Sequence, residues 1–161
     1  MSAKRRYPLR DSTVREIIKE LSPKFGDKIK DIFGKLVEIA ELENGAEVII
    51  SDGEPILVRT EEEIFPLIPA ARSLPLKRVT IDMGAVGPIT DGADVMAPGV
   101  VDANEEIAPG EIVGIEDERH HKLLALGIAL REGSSLPGER GKAIKNLHHV
   151  GDEFWDLLKI L

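Results

Sequence analysis

The chain of 161 residues contains no cysteine. Disulfides, a thiolate nucleophile, zinc ribbons and thiolate-held iron-sulfur clusters are therefore excluded, and a reducing compartment is permitted. Long apolar runs are missing too. No stretch free of charged residues exceeds eight positions, far short of the ~20 apolar residues of a membrane span. The basic start, Met1 to Arg6, has no apolar segment behind it of the kind a secretion signal needs, so the expected location is the cytoplasm. Aromatic residues amount to 4%, with Tyr7 and Trp155 as the sole Tyr and Trp, which leaves little for stacking bases on aromatic platforms. What the chain does have is length: it can bury roughly 70% of its unfolded surface, enough for a core without covalent staples.

A net charge of −8 argues against a nucleic-acid binder on average, because Lys and Arg supply most of the affinity for phosphates. The average hides the distribution. Residues 1–78 hold 14 Lys and Arg against 14 Asp and Glu, whereas residues 79–161 hold 7 against 15, so the whole deficit (7 − 15 = −8) falls in the second half. Within that half, residues 119–145 reverse the sign, with 6 basic side chains against Glu132 and Glu139. Residues 1–35 carry 10 basic and 5 acidic side chains. The pattern suits a basic strip on an acidic body as well as it suits scattered solvated charges.

Glycine changes density near residue 78, from 4 before it to 11 after it, and Pro66, Pro69 and Pro75 crowd the approach. A domain boundary is expected at 74–77, giving an α+β domain over 1–76 and a second domain over 77–161. In the first, Val14, Ile17, Ile18 and Leu21 have the spacing of an amphipathic helix, with a capping box at Thr13 and Glu16 and an end at Pro23. Phe25, Ile29, Ile32 and Leu36 suggest a second short helix. Strands at 37–42, 47–50 and 56–59 come after it, joined at Asn44-Gly45 and Asp52-Gly53 as an antiparallel meander, and 61–68 predicts a helical turn. The second domain reads as short strands at 78–82, 94–96, 112–116, 123–130 and 142–147, punctuated by Pro-Gly pairs, with a helix at 85–90. That grammar favours a small barrel, closed by a terminal helix that carries Phe154, Leu158 and Leu161 and is capped by Asp152.

Four blocks in the second half resemble the PUA domain, named after pseudouridine synthases and archaeosine transglycosylases. They are Val79-Thr-Ile-Asp-Met-Gly-Ala85, Gly92-Ala-Asp-Val-Met-Ala-Pro-Gly-Val100, Pro109-Gly-Glu-Ile-Val-Gly-Ile115 and Ala125-Leu-Gly-Ile-Ala129. The ending from Gly141 to Trp155 further resembles the malignant T-cell amplified sequence family and its archaeal relatives, which also place an α+β domain before the PUA module. The resemblance implies a mixed β pseudobarrel that binds RNA, either tRNA or small-subunit ribosomal RNA, in translation initiation or ribosome recycling. A translation-factor partner would be reached through the amino-terminal domain. By position in that fold, the groove residues are Gly84, Ala85, Gly92, Ala93, Asp94, Met96, Pro98 and Gly99. Lys77 and Arg78 stand at the mouth of the first strand as phosphate contacts, and Lys142 and Lys145 stand on the last. These two lysines have opposite parity, so a regular strand turns only one of them toward the groove.

Nothing points to catalysis, a cofactor or a metal. Gly84-Ala-Val-Gly87 lacks the Gly-Lys-Ser/Thr of a phosphate loop, and Ser134-Ser135 belongs to no nucleophile motif. His120-His121 and His148-His149 are adjacent pairs without carboxylates at ligand spacing, and His148 suits a hydrogen bond near the terminal helix. Asp82, between Ile81 and Met83, suits a helix cap, and every glycine of the blocks also suits a tight barrel turn. Two other readings remain open: a subunit of an RNA-modification system, for which residues 1–77 are too few to form a full catalytic domain, and a protein-interaction adaptor.

Overall fold

The structure is a computed structural model that describes all residues, 1–161. The chain divides into two compact units, Met1–Pro75 with Asp156–Leu161, and Leu76–Trp155. The last six residues thus group with the first unit, whereas the sequence pattern assigns all of 77–161 to the second. No helix is long and apolar enough to cross a membrane.

The first unit holds a five-stranded antiparallel sheet in the order β1-β2-β3-β4-β5: β1 (Ala3–Pro8), β2 (Val37–Leu42), β3 (Glu47–Ser51), β4 (Glu54–Arg59) and β5 (Ile64–Pro66). The Asn44-Gly45 and Asp52-Gly53 turns take positive φ at Gly45 (89°), Asp52 (48°) and Gly53 (86°), as tight hairpins require. β3 and β4 are buried on nearly every position, and Ile49, Ile50, Leu57, Phe65 and Leu67 form the centre of the core. Several expectations fail in this unit. The α1 helix runs Asp11–Phe25 from an N-cap at Arg10, so the Thr13–Glu16 capping box does not form and Pro23 sits inside the last turn. Pro23 has no N–H to give the Lys19 carbonyl, and the helix ends within a turn of it at Gly26, with φ of 84°. A 3-10 helix, Asp27–Ile32, comes next and is shorter than the second helix expected. Further along, residues 64–66 pair with β4 as a strand instead of coiling into a helical turn, and Ile68–Ala71 then makes a short helix, α2.

The second unit is a six-stranded mixed sheet in the order β7-β11-β10-β9-β6-β8. Its strands are β6 (Arg78–Ile81), β7 (Val95–Met96), β8 (Val100–Ala103), β9 (Ile112–Asp117), β10 (Leu123–Ala129) and β11 (Lys142–His149). The β6–β9 pair is parallel and the rest are antiparallel, which is the mixed pseudobarrel expected. Val79, Ile81, Val95, Val113, Ile115, Ala125 and Ile144 fill its centre. Helix α3 (Met83–Thr90) comes after β6, and α4 (Glu153–Ile160) after β11. Asp82 caps α3 by accepting the Ala85 N–H at 2.9 Å, and Asp152 caps α4 by accepting the Trp155 N–H at 2.7 Å.

Candidate nucleic-acid interface

The passage from β6 into α3 brings small residues to the surface. The Asp82 N–H donates to the carbonyl of Gly99, at the entry to β8, at 2.9 Å. A Cβ at position 99 would lie 3.2 Å from the Ala85 Cβ, so the two backbones approach closely only because both side chains are minimal. A cleft of about 310 Å3 opens here, lined by Asp82, Gly84, Ala85, Pro88, Ile89, Asp94, Met96, Pro98 and Gly99. Its walls are mostly apolar, and Met96 is 46% exposed, an unusual position for so large an apolar side chain. No aromatic ring lines it.

Six of the residues singled out in the sequence line this cleft: Gly84, Ala85, Asp94, Met96, Pro98 and Gly99. Gly92 and Ala93 are exposed beside it without lining it. The Ala93 carbonyl accepts from the Asn146 side-chain amide at 2.9 Å, and Gly92, at φ of 99°, leaves room for the His149 ring. Lys77 does not join the cleft. Its ammonium is held by Glu111 Oε1 at 2.8 Å and by the Glu106 carbonyl at 3.1 Å. Arg78 lies beside Gly114, likewise off the lining.

The two lysines of β11 behave differently from a regular strand. Lys142 pairs with Met96 and Ile144 with Val95, so two steps along β11 match one along β7, and Ala143 is the extra residue of a β-bulge. One inserted residue restores matching parity to positions three apart, and both Lys142 and Lys145 are exposed. Lys142 Nζ lies 3.1 Å from Asp94 Oδ2. Burial pushes the Asp94 carboxyl up, but the Asn146 N–H, the Lys142 hydrogen bond and the charges of Lys142 and Lys145 outweigh it and hold Asp94 below the usual carboxylate range. Asp94, a lining residue of the cleft, is thus met directly by the Lys142 ammonium and only through charge by Lys145.

Sequence reasoning missed Pro88, Ile89 and Asn146. Asn146 staples the exit of α3 to β11 by donating to the Ile89 and Ala93 carbonyls at 3.0 and 2.9 Å, while its N–H donates to Asp94 Oδ1 at 2.9 Å. The available signal was the lone amide side chain of the last strand, between Lys145 and Leu147.

Among known protein families, the PUA domain matches residues 77–150. An uncharacterized protein of Methanocaldococcus jannaschii is 41% identical over 97% of this chain and 98% of its own length. The chain is a PUA-domain protein. Its eukaryotic relatives are more distant: translation machinery-associated protein 20 of Saccharomyces cerevisiae is 26% identical over 90% of this chain and 88% of its own. Malignant T-cell-amplified sequence 1 of Danio rerio is 24% identical over 92% and 89%. A crystal structure of a hypothetical protein from Pyrococcus horikoshii superimposes with a TM-score of 0.80 at 38% identity, covering 96% of this chain and 99% of that one. In this PUA protein both units therefore have counterparts in relatives of nearly the same length.

Proposed function

We propose that this protein binds RNA without altering it, taking tRNA or small-subunit ribosomal RNA into the α3–β7–β8 cleft during translation initiation or ribosome recycling in the cytoplasm. One observation carries the proposal: a cleft walled by Gly84, Ala85, Pro98 and Gly99 is sterically open, and Lys142 reaches its lining residue Asp94 from β11, where Lys145 is exposed as well. Small side chains admit a sugar-phosphate backbone, the apolar patch around Met96 and Ile89 receives an unstacked base, and the lysines meet phosphate. The name of the yeast relative, translation machinery-associated, supports the cellular setting. The first unit is the proposed contact for a translation-factor partner.

Filter binding to tRNA with and without its single-stranded end, over a series of salt concentrations, tests this reading. Binding is expected at low salt, falling linearly in log–log form as salt rises, and weaker by about tenfold without the single-stranded end. No binding at low salt, where phosphate contacts are strongest, overturns it.

A further inference from the structure

The turn between β9 and β10 reads Glu118-Arg-His-His-Lys122. It gathers two of the seven Lys and Arg of residues 79–161, and two of the four histidines, into four consecutive positions. Its backbone is mounted on a single carboxylate. Asp117 Oδ1 accepts the N–H groups of Arg119 and His120, Oδ2 accepts that of Lys122 at 3.1 Å, and the Asp117 carbonyl accepts that of His121 at 3.0 Å. These donors, His120 foremost, hold the Asp117 carboxyl below its usual range, so the mount stays charged at neutral pH. His121 takes the left-handed conformation, φ of 53°, and its Nδ1 lies 2.6 Å from Glu116 Oε2.

These bonds commit the acids of the turn. Glu116 is used on His121, Asp117 on the backbone, and Glu118 accepts the Met83 N–H at 3.2 Å. Arg119 and Lys122 are exposed, and neither is drawn into an ion pair. The turn is also stitched to the cleft. The Glu118 N–H donates to the Ile81 carbonyl at 3.0 Å, and Met83 is the first residue of α3, whose neighbours Asp82, Gly84 and Ala85 line the cleft wall.

We propose that Arg119 and Lys122 form a clamp for the RNA phosphate backbone where it leaves the cleft. This rests on the RNA-binding reading above and extends it to a strand turn outside the small-residue cleft. Both side chains are exposed donors without acceptors, which suits phosphate oxygens, the acceptors that every nucleotide presents. The rigid turn lowers the ordering cost of the contact, since only two side chains remain to be fixed on binding.

The test is equilibrium binding of the full chain to fluorescently labelled tRNA at pH 7.5 over a salt series. It compares wild type with Arg119→Ala/Lys122→Ala, the exchange variant Arg119→Lys/Lys122→Arg, and the cleft variant Gly99→Val. The double alanine variant is expected to bind about tenfold more weakly near ~0.1 M salt, two screened surface contacts being lost. Its log–log salt slope should be shallower by about 1.5, at ~0.7–0.9 per phosphate contact. The exchange variant should stay within about twofold of wild type. An unchanged slope and affinity in the double alanine variant, with wild type binding and Gly99→Val losing affinity, overturns the clamp and leaves the cleft reading standing. Absence of wild-type binding at low salt overturns both. Unchanged RNA affinity together with lost binding to polyglutamate assigns the turn to an acidic protein partner and likewise overturns the clamp.

Discussion

Asp152 accepts hydrogen bonds from three residues: the His148 ring at 2.9 and 3.0 Å, the His149 N–H at 2.8 Å and the Trp155 N–H at 2.7 Å. His148 is fully buried and meets Phe154 edge-to-face with centroids 6.0 Å apart. Burial pushes the Asp152 carboxyl up, while the hydrogen bond and charge of His148 and the two N–H donors bring it down, with a net result below the usual range. A carboxyl that holds its proton less tightly when folded contributes stability above its unfolded pKa, ~3.9, and that contribution fades as pH falls through the folded value. Asp152→Asn is therefore expected to lower stability by about 1 kcal/mol at pH 7. In urea titrations the gap from wild type should close as pH falls below about 4, and a gap independent of pH refutes the assignment. The cap at Asp152 and the His148 bond were both legible in the sequence, because a cap depends on residue type and local spacing alone. The occupied state of Lys77 was not, because Glu111, its partner, is 34 positions away.

At the scale of the element, legibility followed apolar periodicity. β2, β3, β4, β9, β10 and β11 each bury apolar side chains and were placed to within about two residues. β1 was not seen. As the sheet edge it buries none of its six side chains and is made of Lys4, Arg5 and Arg6, so it carries no hydrophobic pattern. Its charges pair across to β2, Arg6 with Glu38 at 3.0 Å and Arg5 with Glu41 at 3.5 Å, a device that keeps an edge from recruiting another strand. Bulges are equally silent in sequence, and the one at Ala143 goes with the exposure of both Lys142 and Lys145. Gly127 in β10 marks another, where the register to β11 shifts between Leu126 and Gly127. A Cβ there would collide with the Ile144 side chain and lie 2.7 Å from the Lys145 carbonyl oxygen, which belongs to the backbone and cannot rotate aside. Gly127→Ala is expected to destabilise the protein by about 2–3 kcal/mol in chemical denaturation, and a loss under ~0.5 kcal/mol shows that β11 shifts freely at this point.

At the scale of the whole molecule, a net charge of −8 is compatible with local excesses of positive charge, because charge is distributed locally and screened over about 8–10 Å in physiological salt. The boundary near Pro75 left a trace in the chain as crowded prolines and a rise in glycine. The return of Asp156–Leu161 to the first unit left none. Helical spacing of Phe154, Leu158 and Leu161 says that one face is buried but not against what. In the structure Leu157 is fully buried, and Leu158 lines a groove of about 380 Å3 with Ile32, Ile56, Pro69 and Ala70 of the first unit. The first unit is therefore built from both ends of the chain, and its groove wall is completed only when the last residues are in place. Ending the chain at Trp155 removes both leucines, a loss of about 2–4 kcal/mol if each stood in a core. Amide hydrogen exchange in β4 and α2, at Leu57, Val58 and Ala71, is expected to accelerate on the order of a hundredfold in the shortened chain. Exchange at Val113 and Ile115 in β9 should stay near its original rate. Acceleration in β9 without acceleration in β4 would show that the terminal residues belong to the second unit, and no acceleration in either would show that they close nothing.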